Sequence, residues 1–347
     1  MKKLALYLMA LTLIILPGCG ESQSQKPAAG GDQPQAAPSA GEQVKKFQIG
    51  HILSNNPDDP YQVLCDNFAK NVAEMSGGKI QIEVIPNAQL GGERDMQEGM
   101  QLGTIDMAMI TNVNVGSFIP EFLAFDMPFI FPSKQKAHEV LDGPVGRAML
   151  DRFERIGIKG LAWGEGGFRH MINRKKTIVS PADVKGLKFR SLENPLYIDT
   201  YRAIGTNPTP MAWTETFTGM QQGTIDGLDI PISVIYANRF NEVADYLSLT
   251  NHFYSPLMLT MSLKVWNSFS PEEQDILMKA AIKAGADERS FVTEMEEKFL
   301  TEMAEKGLEI TRDVDFPAFQ EAVQPVYDQY REKIGAQVLD EVIAATK

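Results

Sequence analysis

The sequence predicts an α/β protein built as two lobes of similar local design. One phrase is written twice, at residues 99–106 and 219–226, with seven of eight positions identical. Each copy reads as a helix, a glycine stop and a strand, which is half of a β-α-β crossover and implies parallel strands. The chain is also long enough for two ordinary domains: 347 residues, 44% hydrophobic and 22% charged. Lobes paired in this way commonly hold a small ligand in the cleft between them.

Along the chain, Lys2 and Lys3 precede an apolar run over 4–16 that is short for a bilayer span and ends at Leu16-Pro17-Gly18-Cys19. This reads as a secretion signal over 1–18. A Cys directly after Gly resembles a bacterial lipobox, which implies lipid modification of Cys19 and anchoring to the membrane. A plain signal peptide cut nearby is the other reading. Residues 19–43 are rich in Gln, Ser, Ala, Gly and Pro, so they are expected to be a flexible tether. Folding is expected from Val44. Residues 46–53 (KFQIGHIL) and 79–85 (KIQIEVI) alternate as strands do.

The first copy of the phrase places a helix over 93–102, where Met96 and Met100 share a face. Gly103 stops it in the left-handed conformation. The second copy predicts a helix from Thr214, a stop at Gly223 and a strand from Thr224. Ser180-Pro181-Ala182-Asp183 is a helix start, with Gly186 as its stop and LKFR (187–190) as the following strand. Ser270-Pro271-Glu272-Glu273 repeats that start. It opens a helical stretch to about Gly307, roughly 55 Å long if unbroken, with Gly285 as the candidate interruption. Such a helix can run along the back of both lobes.

The net charge of −12 argues against nucleic acid as a partner. Cys65 lies beside the helical stripe Leu64, Phe68, Val72 and Met75, so an inert buried thiol and no disulfide are expected. The four histidines, 51, 138, 170 and 252, lack metal-ligand spacing. There is no G-x-S-x-G elbow or P-loop, and Gly164-Glu165-Gly166-Gly167 is no dinucleotide fingerprint. No enzyme activity, cofactor or metal is therefore expected. His51, just past the first strand, is a candidate ligand contact; His170 reads as structural.

GFRH, SPADVKGLKFR, IGTNPTPMAWTE and QQGTIDG follow one another over 164–235, and SGGKIQIEVIPNAQLGGERDMQEGMQLGTIDM lies upstream. In this order and spacing they resemble the DctP family, the substrate-binding proteins of tripartite ATP-independent periplasmic (TRAP) transporters. The resemblance covers the chain from about Val44. It implies a two-lobed binding-protein fold of type II with a long helix bridging both lobes. It further implies a small organic acid bound in the cleft and delivered to membrane permease subunits. Lobe I is expected over 44–166 with about 256–295, and lobe II over 167–255 with about 296–347. A monomer is expected.

The resemblance also suggests which residues bind. Arg190, at the end of LKFR, takes the place of the family's carboxylate-binding arginine; a guanidinium matches two carboxylate oxygens and stays charged when desolvated. Arg169 is read as the second basic residue at the carboxylate or as a structural ion pair. Trp213 is read as packing on the ligand or within a lobe core. Glu93 is read as an acceptor for ligand hydroxyl or amino groups, or as a helix-terminus charge. Thr111 follows the first repeated strand, where the family lines its cleft with polar groups. Many members carry an Asn where this chain has Ile230, which cannot donate a hydrogen bond. Recognition then leans on the two arginines, in a pocket suited to a less hydroxylated acid. Asp229 is read as a partner for a ligand amine or as facing the hinge. Two other readings stay open: a receptor of this fold serving a signalling protein, and a secreted enzyme built on it.

Overall fold

The computed structural model describes residues 44–347. The signal sequence, Cys19 and the tether lie outside the described residues. The strands are β1 (Lys45–Gly50), β2 (Ile80–Ile85), β3 (Met107–Thr111), β4 (Ile158–Asn173), β5 (Lys188–Ser191), β6 (Asn207–Pro210), β7 (Gly227–Pro231), β8 (Tyr246–Ser262) and β9 (Glu309–Thr311). They form one sheet in the order β2-β1-β3-β8-β4-β7-β5-β6, with β9 beside β8.

The order is symmetric about its middle. β1 pairs in parallel with β2 and β3, and β3 then meets β8 antiparallel. At the other end β5 pairs in parallel with β6 and β7, and β7 meets β4 antiparallel. The two long strands, β4 and β8, pair with each other along most of their length and run through both halves. Each half thus has a β-α-β core, as the repeated phrase predicts.

That phrase does the same work in both places. The first helix, Glu93–Leu102, ends at Gly103 with φ 74°, and the second, Trp213–Gln222, ends at Gly223 with φ 75°. An L side chain is strained in that conformation, which explains the glycine. Thr104 N donates to Gly99 O at 2.9 Å, and Thr224 N to Gly219 O at 2.9 Å. The Asp closing each copy accepts from the strand next door: Gln48 N reaches Asp106 Oδ2 at 3.0 Å, and Lys188 N reaches Asp226 Oδ2 at 2.9 Å. Thr-Ile-Asp is therefore a turn that clamps the neighbouring strand, and β3 and β7 begin after it.

The helix opened by Ser270 spans Pro271–Glu305, 35 residues with no break at Gly285. Gly285 has a packing role instead, because a Cβ there would come within 2.3 Å of the Trp163 carbonyl oxygen. The helix lies against helix Pro60–Met75, β4 and helix Ile232–Ala237, so it backs both halves. The chain's end departs from the expected division. Helix Phe316–Ile334 packs on helix Pro195–Ala203 and on the turn Pro120–Asp126, and helix Ala336–Ala345 packs on that turn and on helix Pro144–Asp151. Its last residues therefore join the 44–166 segment rather than the 167–255 segment.

Alternation along β3 divides the core between the two sheet faces. Ala108 and Ile110 join a cluster with Phe122, Phe125, Trp163 and Phe189. Met107 and Met109 join Leu64, Phe68, Leu277 and Phe299 on the other face. Cys65 is free and fully buried in that second cluster, as expected.

Candidate ligand-binding cavity

A cavity of about 300 Å³ opens where the carboxyl ends of β3, β5 and β7 approach one another. Six of the residues expected to bind ligand line it: Glu93, Thr111, Arg169, Arg190, Trp213 and Ile230. Their elements deliver them there. Glu93 and Trp213 each open the helix of one copy of the phrase, Thr111 ends β3, and Ile230 stands near the end of β7. Arg190 sits on β5 with Phe189 turned the other way into the core.

Arg190 is 4% exposed. Among the described residues its one side-chain hydrogen bond runs from Nε to Met211 O at 3.0 Å. Among the described residues it forms no salt bridge, so both Nη groups are left for the cavity. Burial, together with the charge of Arg169, lowers its pKa to about 10. It is still cationic at neutral pH, with Asp229 and Glu193 partly offsetting the effect of burial but neither in direct contact with it.

Arg169 has its anion already. Nε donates to Asp229 Oδ2 at 2.6 Å and Nη2 to Oδ1 at 3.2 Å, with Nη2 also reaching the Asp229 carbonyl at 2.5 Å. Burial alone would raise the Asp229 pKa, but Arg169 and His252 more than reverse this and hold it far below the usual range. His252 Nε2 stands 3.4 Å from Asp229 Oδ2. Asp229 is fully buried behind Arg169 and does not line the cavity. For Arg169 the ion pair is observed, although the residue also lines the cavity; Asp229, read as a partner for a ligand amine or as facing the hinge, is the other member of that pair.

Glu93 is 5% exposed, stands in the first turn of helix Glu93–Leu102 and lines the cavity. Its Oε2 accepts from Thr111 N at 3.2 Å and Thr111 Oγ1 at 2.5 Å, and also from Asn114 Nδ2. Burial raises its pKa. Trp213 is half-buried, packs against Phe240 with ring centroids 5.5 Å apart, and lines the cavity as well.

His51, like Asp229, does not line the cavity. It is fully buried away from the cavity, with Nε2 2.9 Å from Gln62 Oε1, and burial lowers its pKa. β1 ends at Gly50, and the chain turns His51 under the first helix rather than into the cleft. His170 is buried too, with its pKa pushed down to about 3 by burial and by His252. Sequence reasoning missed Tyr61, Asn114 and Met211, which also line the cavity. The Asp59-Pro60 helix start, which aims Tyr61, was the available signal.

The whole cavity lies within residues 49–333, which match the family model DctP, bacterial extracellular solute-binding protein family 7. The chain belongs to that family. The 2,3-diketo-L-gulonate-binding periplasmic protein YiaO of Escherichia coli is 35% identical over 81% of this chain and 85% of its own length. A TRAP periplasmic solute-binding protein from Polaromonas, solved with D-erythronate, superposes with a TM-score of 0.83 at 37% identity, covering 86% of this chain and 98% of that one. Another, from Bordetella, has bound density assigned as pantoate; it superposes with a TM-score of 0.82 at 39% identity, over 86% and 98%. This DctP member is thus an extracytoplasmic TRAP solute receptor with the two-lobed fold, and its solved relatives bind small organic acids. The family is one of receptors, not enzymes, and works with membrane permease subunits.

Proposed function

We propose that this receptor captures a small organic acid carrying one carboxylate, held on the Nη groups of Arg190, and delivers it to its permease after the lobes close. The carrying observation is Arg190 itself: a buried guanidinium with one backbone acceptor and, among the described residues, no salt bridge. A bidentate carboxylate is the natural complement of that unpaired fork. Arg169 does not add a second free charge, because Asp229 neutralises it. A single guanidinium without a salt bridge among the described residues, with the Glu93 and Glu193 carboxylates also lining the cavity, favours a monoanion over a more highly charged acid.

The rest of the lining describes the acid's body. Ile52, Leu53, Met211, Trp213, Ile230 and Val234 offer an apolar wall, while Glu93, Thr111 and Asn114 offer polar atoms. A short acid with an apolar or branched carbon chain and few hydroxyls fits both. Pantoate and D-erythronate, carried by the two solved relatives, are monocarboxylates of this size.

Calorimetry with pantoate, D-erythronate and 2,3-diketo-L-gulonate on the wild type and on Arg190→Ala tests the reading. At least one acid should bind the wild type, and the variant should lose on the order of 100-fold or more in affinity, as when one partner of a buried charge pair is removed. Equal affinity for the variant rejects the assignment. Membrane anchoring through Cys19 is part of the same proposal and rests on the sequence Leu16-Pro17-Gly18-Cys19. Cys19→Ala should move the protein from the membrane fraction to the soluble one, and an unchanged membrane fraction would rule the anchor out.

A further inference from the structure

We infer that Tyr61 is a second donor to the bound carboxylate, so that one anion is gripped by Arg190 from β5 and by a neutral phenol from the first helix. The inference rests on the carboxylate reading above.

A carboxylate has more lone pairs than one guanidinium can satisfy, and in a desolvated cavity the remainder need donors. The cavity's buried neutral side chains with hydroxyl groups are Tyr61, 6% exposed, and Thr111, 4% exposed. Thr111 is committed, since its Oγ1 donates to Glu93 Oε2 at 2.5 Å. The Tyr61 hydroxyl has no hydrogen-bond partner among the described residues. The ring is buried, but the hydroxyl oxygen is not among the side-chain atoms sealed from solvent, so it opens to the cavity and can donate to what enters there.

Its position is fixed from behind. Asp59 caps helix Pro60–Met75, with Oδ1 accepting from Tyr61 N at 3.0 Å. Asp59 Oδ2 accepts from Asn238 Nδ2 at 3.0 Å and from Ser54 Oγ at 3.3 Å. Asn56 Nδ2 donates to Ala237 O at 3.0 Å. The turn that presents Tyr61 is therefore tied to the end of helix Ile232–Ala237, whose Val234 lines the same cavity. The ring also stands edge-on to His51, centroids 6.3 Å apart. Burial raises the phenol's pKa well above 10, so the O–H is present at any physiological pH. Tyr61 and Arg190 line the same cavity, and the phenol feels the Glu93 carboxylate first and then Arg169, Asp59 and Arg190.

The assignment has a structural consequence. Arg190 belongs to the β5-β6-β7 half of the sheet, whereas Tyr61 follows β1 in the other half. An anion touching both links the halves directly, so the acid's charged end would favour closure.

Tyr61→Phe removes the hydroxyl and nothing else. Because that oxygen has no protein partner, the ligand-free unfolding midpoint should stay at the wild-type value. Affinity for whichever of pantoate, D-erythronate and 2,3-diketo-L-gulonate binds the wild type should fall about 10- to 100-fold, as for a lost hydrogen bond to a charged group. The ligand-induced rise in the midpoint should shrink with it. Wild-type affinity in Tyr61→Phe, with binding lost in Arg190→Ala, overturns this inference alone. Retained binding in Arg190→Ala, or no binding of any of the three acids by the wild type, overturns the carboxylate reading and this inference together.

Discussion

Replacing Asp229 with Asn keeps the shape of the residue and deletes its charge. Arg169 then remains 4% exposed with no anion, since Asp229 is its ion-pair partner. Removing one member of a buried pair costs about 3–5 kcal/mol. Two features place this case at the lower end. An Asn oxygen still accepts one guanidinium hydrogen bond, and Nη2 keeps the backbone carbonyl of residue 229 at 2.5 Å. The expected loss is thus about 3 kcal/mol, a factor of more than 100 in the folding constant. Urea unfolding followed by circular dichroism measures it, with an unchanged slope confirming that the same surface is exposed. The pH dependence supplies an internal check. Asp229 has a depressed folded pKa, so its contribution is fully present above the unfolded value of about 4 and fades as pH falls towards the folded one. The gap between wild type and variant should hold constant from pH 8 to about 4 and narrow below. A loss under 1 kcal/mol, or a gap that closes near neutrality, would refute the account of this pair.

Asp126 has the opposite sign. Burial raises its pKa to about 7, although Tyr197 Oη donates to its Oδ1 at 3.2 Å. The folded state then binds this proton more tightly than the unfolded chain, so its contribution is present below about pH 4 and is lost as pH rises through about 7. Asp126→Asn should flatten part of the fall in melting temperature between pH 5 and pH 8; an identical fall in the variant contradicts this. Gly285→Ala should destabilise by about 1–3 kcal/mol, through overpacking against the Trp163 carbonyl, where a helical Gly-to-Ala change ordinarily helps. Denaturant titration gives the sign. Cys65, buried with its pKa raised well above the ordinary thiol value, should resist a thiol reagent in the native protein and react once urea unfolds it; rapid native labelling would contradict its placement.

The parts of the fold legible in the sequence were those set by local chemistry. Gly103 and Gly223 stop helices because only that residue type enters the left-handed region cheaply, and Ser270-Pro271 starts one because capping is local. What escaped depended on distant partners. Thr-Ile-Asp reads as strand by propensity, yet Asp106 and Asp226 each bond to a strand whose place the sequence does not state. Gly285 reads as a breaker until Trp163 is seen beneath it. In the cavity, the motifs brought six expected residues together; Arg169, read as a carboxylate contact or an ion pair, makes an ion pair with Asp229 while still lining the cavity, and that pairing was not among the readings for Asp229. His51 was misplaced for a period-two reason: one residue past a strand's end, alternation no longer fixes direction.

The long strands β4 and β8 also constrain how the chain can be made. β3 is the third strand across the sheet, and its neighbour β8 is not complete until Ser262. A growing chain that has reached residue 240 carries β3 with one flank bare, a row of amide groups open to any stray strand. The receptor's first half is finished last, and a protein that must fold after crossing a membrane gains from having its whole length delivered before either edge is left waiting.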